Sequence, residues 1–215
     1  MSRTSGPSFS TGSSPPGREL PLTRWNTVVT CAVLGDTTDR QDREISDHLA
    51  DLTRLTGIGF VEVDPENAKL IAIVTSDAFE RAVDIHAEHY RRFFDSDEAM
   101  VEETVVMHEL ALCYAIIETD PVTRVLSGAM VLIPTQIDRF MVRSCIVEEF
   151  TQIMGPVNDP DEIKQSIFND RRGNLLLSDH DEMILRILYD ERLKPGMTWD
   201  DAEPYVREIL AELRS

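Results

Sequence analysis

Between Glu148 and Asp159 the chain reads EEFTQIMGPVND. This stretch closes a helical pattern, Ile137 to Met154, that is apolar almost all round, through Phe140, Val147, Phe150 and Met154. A helix with no polar face has no side to give to water, so it belongs in the middle of a domain. Three polar side chains interrupt it close together, Glu148, Glu149 and Gln152, and Gly155 gives the chain a bounded exit. Buried polar groups require hydrogen-bond partners. These residues are therefore either ties between the helix and the following loop, or the remains of a site.

The segments around this helix alternate in period. Thr27 to Leu34 is a short β-rich run closed by Gly35-Asp36, and suits a buried strand. Ile45, Leu49, Leu52 and Leu55 recur at helical spacing, with Gly57 as the stop. Two strands are expected near Ile58 to Val63 and Leu70 to Thr75, split by the turn Asp64-Pro65-Glu66-Asn67. Ser76 is expected to cap a helix carrying Phe79, Val83, His86, Tyr90 and Phe93 on one face, ending at Asp95-Ser96-Asp97. Cys113 to Glu118 and Val125 to Ile133 read as a hairpin around Asp120-Pro121. Beyond the central helix, Ser178 with Asp181 and Thr198 with Asp201 form two capping boxes, and Pro204 is expected to disturb the last helix near its first turn. The order predicts an α+β domain with a mixed sheet and a buried central helix. Residues 1–24 are read as a flexible Ser/Gly/Pro-rich tail and residues 25–215 as a single domain.

Charge and composition remove some classes of function. With 39 acidic and 21 basic residues, the net charge of −18 repels phosphate backbones, so no nucleic-acid partner is expected. The longest apolar run, around Ala129 to Pro134, is far short of the roughly 20 residues of a spanning helix. The N-terminal residues lack the apolar core of an export signal, and fit the start of a processed chain and of a cytoplasmic one equally. Three cysteines, Cys31, Cys113 and Cys145, have no C-x-x-C spacing. They are either three buried thiols, or Cys113 pairs with Cys145 and leaves Cys31 in the core.

A zinc hydrolase of the metzincin type carries H-E-x-x-H-x-x-G-x-x-H, in which two histidines one turn apart bind zinc, the Glu is the general base and the Gly turns the chain. The stretch from Glu148 resembles this frame with every histidine replaced. Glu149 falls on the base, Gly155 on the turn glycine, and Glu148, Gln152 and Asn158 on the ligand positions. Downstream, the chain resembles the matrixin branch, whose next helix has the form L-S-x-D-D-x-x-x-I-x-x-L-Y. Leu177, Ser178, Asp181, Leu185, Leu188 and Tyr189 hold that register, while His180 replaces the first Asp and Phe168 stands in place of the Met-turn methionine.

A nearer resemblance is to an uncharacterised family of bacterial, largely proteobacterial, exported domains of zincin-like layout. Its members have a Cys before a Glu-Glu-x-x-Gln helix, an Asn-Asp after the Gly, then Ser-x-Phe-Asn-Asp and Leu-Tyr-Asp. Here these are Cys145, Glu148 to Gln152, Asn158-Asp159, Ser166 to Asp170 and Leu188-Tyr189-Asp190. The resemblance implies a zincin-like fold, a periplasmic or otherwise exported location, and Asp159, Phe168, Asn169, Asp170 and Tyr189 as turn and support residues. It also favours the Cys113–Cys145 bond, which would clamp the hairpin to the start of the central helix.

The ligand set argues against the inherited chemistry. Zinc sites use nitrogen and sulfur donors, whereas Glu148, Gln152 and Asn158 offer one carboxylate and two amides. No cofactor is expected, and a hard cation such as calcium, with Asp159, Asp161 and Asp170 adding oxygens, is the alternative. Glu148 and Glu149 lie about 100° apart on the helix and do not face each other as an acid and base pair. His108-Glu109 lacks a second histidine, because Leu112 stands there, and His86 on its apolar face reads as a core residue beside His89. The expected function is a non-catalytic module holding a protein or peptide partner in the cell envelope. The alternatives are a hydrolase using Glu149 with an unorthodox metal, and a structural domain with no pocket function.

Overall fold

Six strands pair into one mixed sheet in the computed structural model, which describes residues 8–9, 20–156, 166–167 and 175–215. They are β1 (Ser8–Phe9), β2 (Val29–Gly35), β3 (Phe60–Glu62), β4 (Leu70–Thr75), β5 (Tyr114–Thr119) and β6 (Leu126–Pro134). The order across the sheet is β1-β5-β6-β4-β2-β3. β3, β2, β4 and β6 run parallel, and β5 returns antiparallel to β6 as the expected hairpin. β4 is buried at all six residues, which is why its sequence, LIAIVT, is an unbroken apolar run rather than an alternation.

The two faces of the sheet take different helices. On one lie α1 (Asp39–Thr56) and α5 (Arg139–Gln152), whose Ile45, Leu52, Leu55, Val142, Ile146 and Phe150 pack on Leu70, Ala72, Val74, Ala115, Val131 and Ile133. α1 starts at a Thr38/Gln41 capping box and stops, as expected, at Gly57, which adopts φ 74 and gives its N–H to Thr53 O. α5 is the expected central helix, with nine of its fourteen residues buried.

The opposite face corrects the sequence reading. The single helix expected from Ser76 is two short ones, α2 (Phe79–Ile85) and α3 (Ala87–Tyr90), broken at His86, where φ is −105° and ψ 17°. Ala78 rather than Ser76 is its N-cap, and makes no side-chain bond. The segment read as its end is the start of a further helix, α4 (Asp97–Leu110), with the Ser96 hydroxyl accepting from Ala99 N. α4 escapes a periodicity reading because Met100 and Met107 face the sheet while Val101, Val105 and Val106 face outward, so no single apolar stripe stands out. His86 is half-buried at the break and not a core residue.

Both predicted capping boxes form, at the starts of α6 (Asp179–Leu188) and α7 (Trp199–Leu213). Contrary to expectation, α7 continues through Pro204, its sixth residue. Pro204 has no N–H to give to the carbonyl of Asp200, but both residues are exposed, so that oxygen is open to solvent. The residues just before Trp25 are bound on both sides. Leu22 exchanges backbone bonds of 2.8 Å with Met197 and Gly196, and the Arg24 carbonyl accepts from Leu126 N at 3.1 Å. Among the described residues no helix is long and apolar enough to cross a membrane. Asn158, Asp159, Asp161, Phe168, Asn169 and Asp170 lie outside the described residues.

Candidate functional site

The exit of α5 is built from parts far apart in sequence. The last carbonyls of a helix lack internal partners, and here they are buried. Trp25 Nε1 donates to Ile153 O at 2.8 Å, and the Tyr189 hydroxyl donates to Met154 O at 2.8 Å while accepting from Trp25 N at 3.2 Å. Arg24 lies over the Tyr189 ring at 5.4 Å and donates to Leu188 O and Asp190 O at 2.8 and 3.1 Å. Burial and the Arg24 bonds thus hold the Leu188-Tyr189-Asp190 motif against the helix end. Asp190 in turn pairs with Arg192 at 2.8 Å, and hydrogen bonds from Arg192 hold its carboxyl at about 2. Gly155 turns the chain at φ 120°, and a Cβ there would stand 2.5 Å from Thr23 O, so no other residue fits.

Just before this exit, successive 100° rotations put Glu148, Gln152, Cys145 and Glu149 within an arc of about 100° on α5. Glu149 and Gln152 are 4% and 2% exposed, and Glu148 is half-buried. Cys145 is bonded to Cys113, with Cα atoms 5.9 Å apart, so this arc of the helix is fastened to the beginning of β5. Cys31 is unbonded and buried, and burial followed by the charge of Glu62 raises its thiol pKa. At the first residue of β5, Tyr114 shares a 2.9 Å hydrogen bond with the Tyr90 hydroxyl. Burial pushes the Tyr114 phenol well up, Tyr90 adds to this, and the charge of Glu149 adds a smaller push. The acidic arc and the edge hairpin therefore adjoin.

The other flank of α5 carries a group that the sequence reading omitted. His48 of α1 is buried, and its Nε2 lies 3.1 Å from the Thr151 hydroxyl, which gives its own proton to Val147 O. The Thr151 oxygen accordingly accepts from Nε2–H. Desolvation lowers the His48 pKa to about 4, against a smaller opposing effect of Asp51. A signal for His48 was present, since it lies three residues after Ile45 and four before Leu52 on the same helix face. Its neutral, hydrogen-bonded state makes it a strut between α1 and α5.

Asp181, in the first turn of α6, is a second strut. Its fully buried carboxylate accepts from Ser166 Oγ at 2.6 Å, Ile167 N at 3.0 Å, and Ser178 N and Oγ at 2.8 Å each. The positions at Ser166, Ser178 and Asp181 are thereby accounted for as ties. His108 stacks on Phe79 with ring centroids 4.2 Å apart, and His86 and His89 sit with theirs 6.4 Å apart. Among the described residues no three His, Cys, Asp or Glu side chains are grouped so as to hold a metal ion. Glu148 and Gln152, as a carboxylate and an amide, do not fit zinc, which takes nitrogen and sulfur donors in most protein sites.

No curated protein matches the chain. The family described as "Protein of unknown function (DUF2927)" matches residues 10–208, a span that takes in β2 to β6, α5, its exit and the struts around it, and the chain belongs to that family.

Proposed function

We propose that the chain is a non-catalytic binding module of zincin-like layout, a degenerate metallopeptidase frame that holds a protein or peptide partner in the cell envelope. The observation that carries this reading is the chemistry of α5. Its base position, Glu149, and turn position, Gly155, match a metzincin frame, yet Glu148 and Gln152 stand where zinc-binding histidines belong. Where Glu148 and Gln152 replace the histidines that zinc takes, a carboxylate at the base position lacks a zinc ion beside it to polarise a carbonyl or activate water. The antiparallel hairpin strand β5, fastened beside α5 by Cys113–Cys145, supports a role in holding an extended chain. The same bond supports an oxidising compartment, since cytosolic thiols are kept reduced.

The test is elemental analysis of protein purified without chelator, with zinc and calcium titrations followed by thermal melting and a peptide-cleavage assay. The expected result is no stoichiometric zinc, a Tm unmoved by zinc and no cleavage. Stoichiometric zinc with cleavage that disappears in Glu149→Gln would replace this reading with that of a hydrolase.

A further inference from the structure

The outer side of β5 is occupied by the chain itself. β1 pairs antiparallel with it, Ser8 opposite Ile117 and Phe9 opposite Ile116. An edge strand presents N–H and C=O groups that accept any extended chain of suitable register, so the identity of the occupant is a question of how firmly it is held. Three features make this occupant a weak one. It contributes two residues against a strand of six. Pro7, immediately before it, has no N–H with which to continue the ladder. The hydrogen bonds of two residues do little more than offset the entropy of ordering them.

Charge shows what such an edge favours. Residues 1–18 contain Arg3 and Arg18 and no Asp or Glu, in a chain of net charge −18. The segment that reaches β5 is thus drawn from the part of the chain without acidic side chains. Glu118 on β5 is exposed. An acidic strand would meet repulsion there, and a neutral or basic one would not.

We propose that the outer edge of β5 is a strand-addition site for an extended polypeptide free of acidic side chains, and that Ser8–Phe9 occupies it in cis as a displaceable cover. This deepens the binding-module reading and rests on it, by naming the surface and the chemistry of the partner. The Cys113–Cys145 bond holds the receiving strand in place beside α5, so the strand need not be ordered when a partner arrives. A partner in trans competes with a tethered copy whose effective concentration is on the order of millimolar.

The experiment compares the full chain with its Ser8→Pro/Phe9→Pro variant, in which neither residue can donate to a ladder. Amide hydrogen exchange is followed over residues 114–119, and binding is measured by anisotropy with a labelled peptide copying residues 4–13, TSGPSFSTGS. The variant is expected to exchange at least about tenfold faster at the β5 edge. The peptide should bind the variant at least about tenfold more tightly than the wild type and restore protection. The same peptide with Asp at both serines flanking its Phe should bind more weakly. Equal exchange in the two proteins, or saturating peptide that leaves the variant unprotected, overturns the proposal, and equal binding of the Asp peptide overturns its charge selectivity. Zinc-dependent cleavage would defeat the non-catalytic reading but leave these exchange rates unchanged, because they report backbone pairing at β5, so the two failures are distinguishable.

Discussion

The Tyr189 hydroxyl closes the end of α5 by donating to Met154 O at 2.8 Å, across 35 positions of sequence. The same oxygen accepts Trp25 N–H, so one phenol satisfies a carbonyl just past the helix and a backbone donor at once. Tyr189→Phe keeps the ring under Arg24 and removes both bonds. The expected loss is about 1–3 kcal/mol, the cost of leaving buried backbone groups unpaired. Urea unfolding monitored by tryptophan fluorescence measures it, and an unchanged midpoint would show that water replaces the phenol.

Gly155→Ala should be at least as damaging for a different reason. The backbone there has φ 120°, which L side chains rarely adopt, and the added methyl would meet Thr23 O at 2.5 Å. Strain of this kind contributes roughly 1–3 kcal/mol before the clash is relieved. Relief would push the Thr23 segment, and Trp25 with it, away from the helix end. The variant should therefore lose stability and also show a shifted tryptophan emission in its native state, which Tyr189→Phe should not show to the same degree.

His48 predicts a pH dependence with a definite sign. Its folded pKa is about 4, below the unfolded value of 6.5, so the unfolded chain binds the extra proton between those limits. Stability contributed by neutral His48 is complete above pH 6.5 and declines as pH falls toward 4, by roughly 3 kcal/mol in all. His48→Gln removes this titration while leaving a donor for Thr151. Between pH 7 and 5, where few carboxylates titrate, the variant should lose less stability than the wild type. Parallel stability curves over that range would mean that His48 titrates at the same pH in the folded and the unfolded chain.

Much of the architecture was legible because local signals agreed with the global fold. The capping boxes at Thr198 and Ser178, the stop at Gly57 and the unbroken apolar run of β4 each carry a local physical cause that survives in the folded protein. α4 was hidden because valines on its outer side mask the face that Met100 and Met107 bury. The break at His86 was hidden because Tyr90 and Phe93, read as one helical stripe with Phe79, reach the same core from separate turns. At the site, the α5 frame and its glycine could be read as a pattern. The Trp25 cap joins residues 128 positions apart and the Tyr189 cap residues 35 apart, and no spacing rule reports such pairs.

The three cysteines differ in state, and a thiol count reports it. Cys113 and Cys145 are bonded over a sequence separation of 32, and Cys31 is buried and unbonded. Native, unreduced protein should therefore show no fast-reacting thiol, because burial hides Cys31 and raises its pKa, disfavouring the thiolate that reacts. Denaturation without reductant should release one thiol, and denaturation with reductant three. On the chain-entropy model, a loop of this length constrains the unfolded state by on the order of 3–4 kcal/mol. The double variant Cys113→Ala/Cys145→Ala should unfold at correspondingly lower denaturant. It should also exchange backbone amides faster at residues 114–119, since the bond is what ties the first residues of β5 to α5. Three thiols released without reductant would remove the clamp, and a variant that lost stability with no change in β5 exchange would show that the bond acts on the unfolded chain alone.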